Sequence, residues 1–332
     1  MKNINRKQFL RLSAAAATSL VAGGASAVPA VGATISASST RTLLIKNAAV
    51  LTMDPELGEL TETDVLVQNG KISAIGKNLS VTDAEVVDGT GKILMPGLID
   101  GHRHVWEFIG LGNFVKSNPT IYSENYARWK MSSVVAMTPE DHYLAEYVGG
   151  LHAIDSGVTS VKDFAHGQDT PDKAIAAAQG LKDSGIAGWF VFQLGMSYPF
   201  GPGDHVVLSE YEKQKPTEPS AAQWKTVDRL QEEMFSDSSS LLQLGIAPLG
   251  RERHEMTKIK KEWDRVRSTG VKLLAAHMHK WGVVPPKGFM GHRGSGIPDL
   301  AEAGLLGPDY HVSHANRLTT EELALMRDSG GM

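Results

Sequence analysis

The chain has no cysteine among its 332 residues, which excludes disulfides, thiolate nucleophiles and metal sites with cysteine ligands. It also lacks a strong excess of charge, because 33 basic and 37 acidic side chains leave a formal net charge of −4. No basic stripe stands out, so the composition argues against a nucleic-acid-binding protein. Apolar residues make up 42% of the chain, as in folded globular proteins. Histidine is plentiful, with 12 copies, and the positions of these residues are the main guide to function.

The first 33 residues have the pattern of an export signal. Four basic residues and no acidic residue precede an apolar run from Leu12 to about Ala22. The small-residue cleavage pattern Ala25-Ser26-Ala27 follows the run. The stretch from Asn5 to Arg11 is similar to a twin-arginine (Tat) signal with lysine in the second basic place. The run is too short to span a bilayer. We predict a signal peptide over 1–33, a linker over 34–41 and a periplasmic or secreted product with no membrane contact after signal removal.

Two kinds of pattern follow the linker. Residues 42–93 contain short β segments, with the hairpin signal Asn69-Gly70, and predict a partial β-sandwich domain. In residues 94–332, apolar strand-like runs alternate with helical stretches, which predicts a parallel sheet in an α/β domain. The predicted strands are Ile93 to Ile99, Val158 to Phe164, Gly188 to Leu194, Leu241 to Ile246, Val271 to Ala276 and Tyr310 to Ser313. The helices are Pro139 to Ser156, Thr170 to Ser184, Ala221 to Met234, Thr257 to Thr269 and Thr319 to Asp328.

The first of these strands runs into a His-x-His pair, His102 and His104. Side chains two positions apart on a strand share a face, so both rings are expected to point into one site. Two neutral imidazoles at this spacing bind Zn²⁺ or Fe²⁺. A lone His-x-His occurs often by chance, but its place at the end of a strand, after Pro96-Gly97 and Asp100, makes it a metal-site prediction.

The stretch from Met95 to His104 resembles the Pro-Gly-x-Ile-Asp-x-His-x-His motif of the amidohydrolase superfamily, and the chain is most similar to its cytosine deaminase and chlorohydrolase-like group. The resemblance covers about Leu43 to Ser329. It implies a (β/α)₈ TIM-like barrel of amidohydrolase type, here incomplete with about six β/α units. It also implies one divalent metal per chain, zinc ahead of iron, that activates water.

The resemblance implies further site residues. The strand 5 metal ligand matches His277 or His279, which share a strand face, with His277 slightly ahead. Neither is followed three residues later by the glutamate that deaminases of this group often carry, since Lys280 and Gly282 stand there. His314 matches the strand 6 histidine, which binds metal or polarises substrate, and we predict a catalytic role for it. No residue matches the strand 8 aspartate of the family.

Residues at the end of the second predicted strand are candidates for the substrate pocket. Asp163 and His166 lie where barrel enzymes place active-site residues, at the carboxyl ends of strands. The sequence thus predicts a metal-dependent hydrolase of a non-peptide carbon–nitrogen bond in a small-molecule substrate, of amidohydrolase or deaminase type, and leaves a homo-oligomer open. Two alternatives remain: a catalytically silent, truncated homologue, or a periplasmic binder of metal or small molecules.

Overall fold

The structure is a computed structural model that describes residues 41–110, 119–195, 200–205, 207, 218–248, 256–279, 296–316 and 318–332, with backbone only at 119–127, 278, 279 and 316. The predicted signal peptide, residues 1–33, lies outside the described residues. The chain divides into two compact units, one up to Pro96 and one from Gly97 onward. Among the residues described, no helix is long and apolar enough to cross a membrane.

The first unit is a five-stranded sheet. Its strands are β1 (Thr42–Leu51), β2 (Glu59–Gln68), β3 (Lys71–Gly76), β4 (Glu85–Asp88) and β5 (Ile93–Leu94). The order is β3-β2-β1-β4, and β5 also pairs with β1. The β2–β3 hairpin turns at Asn69 and Gly70, whose φ angles of 51° and 74° are the left-handed values that a type I′ turn requires. Ala48, Val50 and Val65 form its small buried core.

The second unit is built on six parallel strands in sequence order. They are β6 (Leu98–Arg103), β7 (Val158–Ala165), β8 (Ala187–Gln193), β9 (Leu242–Ala247), β10 (Leu274–His279) and β11 (Tyr310–Asn316). The edge strands β6 and β11 contact each other, so the sheet curls almost into a closed barrel. The predicted α/β fold with an incomplete barrel is confirmed.

One predicted strand is wrong, because its residues are divided between two observed strands. The run Ile93 to Ile99 does not form one strand, because Ile93–Leu94 pairs with β1 of the first unit and β6 starts at Leu98. The break falls at Pro96-Gly97. Proline has no N–H to donate to a ladder and glycine weakens a strand interior, so the run is divided there.

Seven helices of the second unit are described, and those after the first contribute residues to the core that covers the outer face of the curled sheet or to the layer beside it. They are α1 (Pro119–Ala136), α2 (Pro139–Asp155), α3 (Pro171–Asp183), α4 (Ala221–Arg229, extended by a π-helical turn at Leu230–Met234), α5 (Met256–Ser268), α6 (Ile297–Glu302) and α7 (Thr320–Ser329). Capping boxes start three of them, at Thr138, Ser220 and Thr319. In such a box the side chain of the cap residue and that of the third helical residue each accept a backbone N–H, which fixes where the helix begins.

The two faces of the sheet are both buried. Large side chains such as Phe190 and Ile246 pack between strands and helices in the main core. The inner face carries a second cluster, which consists of Phe164, Val191, Ala247, Leu273 and Ala275. Burial on both faces explains why these strands read as continuous apolar runs in the sequence.

Candidate metal centre

Three histidines converge at the carboxyl end of the curled sheet. His102 lies near the end of β6, His277 in β10 and His314 near the end of β11, and each offers a ring nitrogen within 4.8 Å of the others. The Nε2 atoms of His102 and His277 are 3.3 Å apart. Parallel strands gather their carboxyl ends at one edge, so residues distant in sequence meet there. Imidazole nitrogens at these separations suit a divalent metal such as zinc.

His104 lies beside this trio and has a defined tautomer. Its ring centroid is 4.8 Å from that of His102 and 5.2 Å from that of His277. Its Nδ1 lies 2.7 Å from the backbone oxygen of Phe164. A carbonyl oxygen only accepts, so the hydrogen is assigned to Nδ1 and the lone pair of Nε2 is available. A histidine whose second nitrogen is held in this way is typical of metal sites.

Burial keeps these rings neutral. It lowers the pKa of His104 and of His277 well below the usual value, and the neighbouring imidazoles act in the same direction. The pKa of His314 is also lowered, first by partial burial and then by the positive charge of Lys162. Neutral imidazoles keep the lone pairs that bind metal. The cluster is therefore ready to accept a cation without first losing protons.

A bulge in β11 sets the position of His314. The ladder pairs Met278 with His314 and then His279 with Asn316, which leaves Ala315 as an extra residue. His314 and Ala315 have φ angles of 74° and 48°, a left-handed pair without glycine. Bulges redirect side chains, and backbone strain of this kind is concentrated at functional sites. No turn residue in the sequence marked this irregularity.

The structure describes the side chain of one of the two histidines predicted for strand 5. His277 lies in the cluster, with its ring stacked on Phe164 at a centroid distance of 3.9 Å. The backbone of His279 belongs to β10, but its side chain lies outside the described residues. The role of His279 as a ligand stays a prediction.

His166 lies against the cluster. Its ring is buried and stacks on that of His104, with centroids 3.8 Å apart and an interplanar angle of 14°. The indole N–H of Trp106 donates to its Nδ1 at 3.0 Å. Because indole is only a donor, the hydrogen of His166 is on Nε2, which lies 3.7 Å from Oε1 of Glu107. The contacts of Trp106, Glu107 and Phe164 were not predicted, since aromatic and acidic residues near a strand end carry no distinctive pattern.

The side chain of Asp163 lies on the other face of the sheet from the histidine cluster. Asp163 precedes Phe164 in β7, so its side chain points to the opposite face of the sheet. The side chain is fully buried, and Oδ1 accepts the backbone N–H of Val105 at 2.9 Å. Burial raises the pKa of Asp163 to about 7. The predicted contact of Asp163 with a substrate stays a prediction, whereas its contact with the segment after His104 is a feature of the structure.

Comparison with known proteins supports the same class of fold. No family model matches the chain. The 5′-deoxyadenosine deaminase of Methanosarcina mazei is 33% identical over 142 residues, which are 43% of this chain and 32% of that protein. The dihydroorotase of Bacillus cytotoxicus is 48% identical over 64 residues, 19% of this chain and 14% of that protein. The chain thus spans a third or less of these relatives.

A solved structure matches most of the described fold. Atrazine chlorohydrolase from Arthrobacter aurescens TC1, complexed with zinc, superposes with a TM-score of 0.67 at 18% sequence identity and covers 87% of this chain and 64% of that chain. Three observations point to the same class of protein. They are the curled parallel sheet, the His-x-His pair at the end of its first strand and the similarity to the two relatives. In fold and in part of its sequence, the chain resembles metal-dependent hydrolases of the amidohydrolase superfamily.

Proposed function

We propose that this protein is a metal-dependent hydrolase that cleaves a non-peptide carbon–nitrogen bond in a small molecule. The observation that carries the proposal is the convergence of His102, His277 and His314 from three strands, with ligand atoms within 4.8 Å of one another. The relatives named above as a deaminase and a dihydroorotase support this class of reaction.

The donor set fits one zinc ion per chain, with iron second. All donors in the cluster are imidazole nitrogens, and the chain has no cysteine. Imidazole suits both metals, and zinc accepts three such ligands with an open fourth position. When bound, such a metal supplies a Lewis acid and a water activated for attack near neutral pH.

The chain's own residues hold and orient the reactants. His102 and His277 of the trio are proposed ligands, together with His104 through Nε2, whose ring centroid lies 4.8 Å from that of His102 and 5.2 Å from that of His277. His314 is the most exposed of the four, at the rim. From there it is placed to hydrogen-bond a substrate oxygen or nitrogen on which negative charge develops. We assign it this catalytic role.

The first experiment measures metal content. Purified chain is loaded with Zn²⁺ and analysed by mass spectrometry, and the expected result is about one metal per chain. The double variant His102→Ala, His104→Ala is expected to lose this metal. The matched control is His152→Ala, since His152 is exposed on α2. Unchanged metal content in the double variant would refute the site.

The second experiment separates enzyme from binder. Turnover is measured on cyclic amides, aminopurines and aminopyrimidines with the zinc-loaded chain. The expected effect of His314→Ala is a loss of turnover with zinc content retained. A wild-type chain that holds zinc and turns over none of these compounds is instead a binder or a silent homologue. Comparison of His277→Ala with His279→Ala shows which histidine is the strand 5 ligand.

We also propose that residues 1–33 direct export to the periplasm or the medium. The basic start, the apolar run and the small residues at Ala25 and Ala27 support this. A fusion of residues 1–33 to a reporter is expected to be exported and cleaved. Replacement of Arg6 and Lys7 by glutamine is expected to retain the reporter in the cytoplasm, and export unaffected by that change contradicts a Tat route.

A further inference from the structure

We propose that Asp163 and Trp106 form a positioning network that holds His104 in the orientation required of a metal ligand. The network lies behind the metal centre, on the helix side of β7, and its members do not belong to the histidine cluster. The proposal rests on the proposed function only for the identity of His104 as a ligand. The structural claim, that these residues fix the ring, stands by itself.

The first restraint acts on the backbone after His104. Val105 starts a 3₁₀ segment, Val105–Gly110, and its N–H donates to Oδ1 of Asp163 at 2.9 Å. The other oxygen of Asp163, Oδ2, has no hydrogen-bond partner among the residues described. Both Asp163 and Val105 are buried, so water does not compete for this contact. The position of the residue that follows His104 is therefore fixed by a hydrogen bond in a dry environment, where such a bond is strong.

Glu146 of α2 is a buried neighbour of Asp163. Its side chain is fully buried next to Asp163 and the backbone N–H of Trp106. Burial raises the pKa of Glu146 well above its usual range, and the negative charge of Asp163 adds to this. Neither carboxyl oxygen of Glu146 has a hydrogen-bond partner among the residues described. The hydrogen bond that restrains the start of the 3₁₀ segment is therefore the one from Val105 to Asp163.

The second restraint acts on the ring of His104. Trp106, fully buried, donates its indole N–H to Nδ1 of His166 at 3.0 Å, and His166 stacks on His104 at 3.8 Å. The oxygen of Phe164 accepts the N–H at Nδ1 of His104 at 2.7 Å. The backbone, the tautomer and the ring plane are therefore all held, and Nε2 is the atom left for a ligand bond.

The experiment measures the tautomer of His104 in the metal-free protein. Chain labelled with ¹⁵N-histidine is studied by NMR in the metal-free state, where the wild type is expected to show His104 as a single tautomer with hydrogen on Nδ1. Asp163→Ala is expected to give a mixture of tautomers. Asp163→Asn is expected to keep the wild-type signals, because an amide oxygen still accepts the N–H of Val105.

The matched control is Asp64→Ala in the other compact unit. Asp64 is also a buried aspartate that accepts two backbone N–H groups, those of Asn47 and Leu79, each at 2.9 Å. It is expected to lower stability without changing the signals of His104. Asp163→Ala with lowered stability and unchanged His104 signals would overturn the proposal and leave Asp163 a purely structural residue.

A second variant keeps the test decisive if Asp163→Ala does not fold. Trp106→Phe retains an aromatic ring of smaller size and removes the N–H that holds His166. The expected result is a mixture of tautomers at His166 and altered ring signals at His104. Unchanged signals at both histidines in this variant would equally overturn the proposal.

The link to the metal is measured with Zn²⁺ alone in competition with a chromophoric chelator. Zinc binding by Asp163→Ala is expected to be about 10–100-fold weaker than in the wild type, and binding by Asp64→Ala is expected to be unchanged. Equal affinity in Asp163→Ala would remove the functional part of the proposal. A wild type that binds no zinc contradicts the proposed function, while the metal-free NMR result still decides whether the network positions His104.

Discussion

Replacement of His142 by leucine tests how buried titratable groups set the acid stability of the barrel unit. The His142 side chain on α2 is 0% exposed, and neither ring nitrogen has a hydrogen-bond partner among the described residues. Burial, followed by the positive charge of Lys173, lowers the pKa of His142 from 6.5 to about 4. The folded protein holds this ring neutral, whereas the unfolded chain protonates it in mild acid.

The sign and size of the effect follow from these two pKa values. Because the folded pKa is depressed, the stability is complete above the unfolded pKa and is lost as the pH falls toward the folded pKa. At pH 5 the unfolded ring is mostly protonated and the folded ring mostly neutral, which costs about 2 kcal/mol relative to pH 7.5. Leucine has no proton to bind and is close to histidine in volume. Between pH 7.5 and pH 5, the free energy of unfolding of His142→Leu is therefore expected to fall by about 2 kcal/mol less than that of the wild type.

The assay is urea unfolding at pH 7.5 and pH 5 in the presence of a chelator, so that metal binding does not contribute. His152→Leu is the matched control, because it removes an exposed histidine from the same helix. Other buried histidines titrate equally in all three proteins and cancel in the comparison. If His142→Leu and the wild type lose the same free energy of unfolding between the two pH values, the reasoning from burial is refuted.

Three further predictions concern the barrel unit. Burial lowers the pKa of Lys162 to about 8, so the unfolded chain binds more protons between pH 8 and 10 and stability rises with pH there. Lys162→Met is expected to raise the free energy of unfolding at pH 7 by about 1–3 kcal/mol and to flatten that rise, and a loss of stability in urea unfolding contradicts this. Ala315→Gly relieves a φ of 48° and is expected to raise thermal stability by about 0.5–1 kcal/mol, whereas a lower midpoint contradicts the strain. Arg267 contacts both oxygens of Asp309, at 2.8 and 2.9 Å, and the oxygen of Leu305 at 2.7 Å. Arg267→Lys is expected to cost about 1–2 kcal/mol in urea unfolding, and wild-type stability would show that the paired geometry contributes little.

Much of the second unit was predictable because its strands are buried on both faces. Such strands read as short apolar runs, and five of the six predicted runs lie within one or a few residues of the observed strands. Helix starts were predictable where a cap residue marks them, as at Thr319. The helix Pro119–Ala136 was missed, since its sequence has no clear apolar stripe. The motif at His102 and His104 predicted where the histidine cluster lies in the sheet, at the carboxyl end of the first parallel strand.

The choice between His277 and His279 as ligand depends on contacts across the sheet, which the sequence alone does not show. His277 and His279 share a strand face, so alternation along β10 does not separate them. They differ in depth by two residues, about 6.6 Å along the strand. Depth is set by the register with the neighbouring strand, which pairs His277 with Ser313 and Met278 with His314. This register places the ring of His277 within 3.3 Å of His102.

The same reasoning explains the position of Asp163. Local alternation predicts that consecutive residues of β7 face opposite ways, but it does not say which face meets the metal site. Phe164 takes the inner face, where it contacts the rings of His102 and His277. Asp163 is then directed to the helix side, where the N–H of Val105 and the carboxyl group of Glu146 lie. An acidic residue at the end of a barrel strand therefore serves either the substrate or the adjacent loop. The choice depends on the identity of its neighbours on the strand.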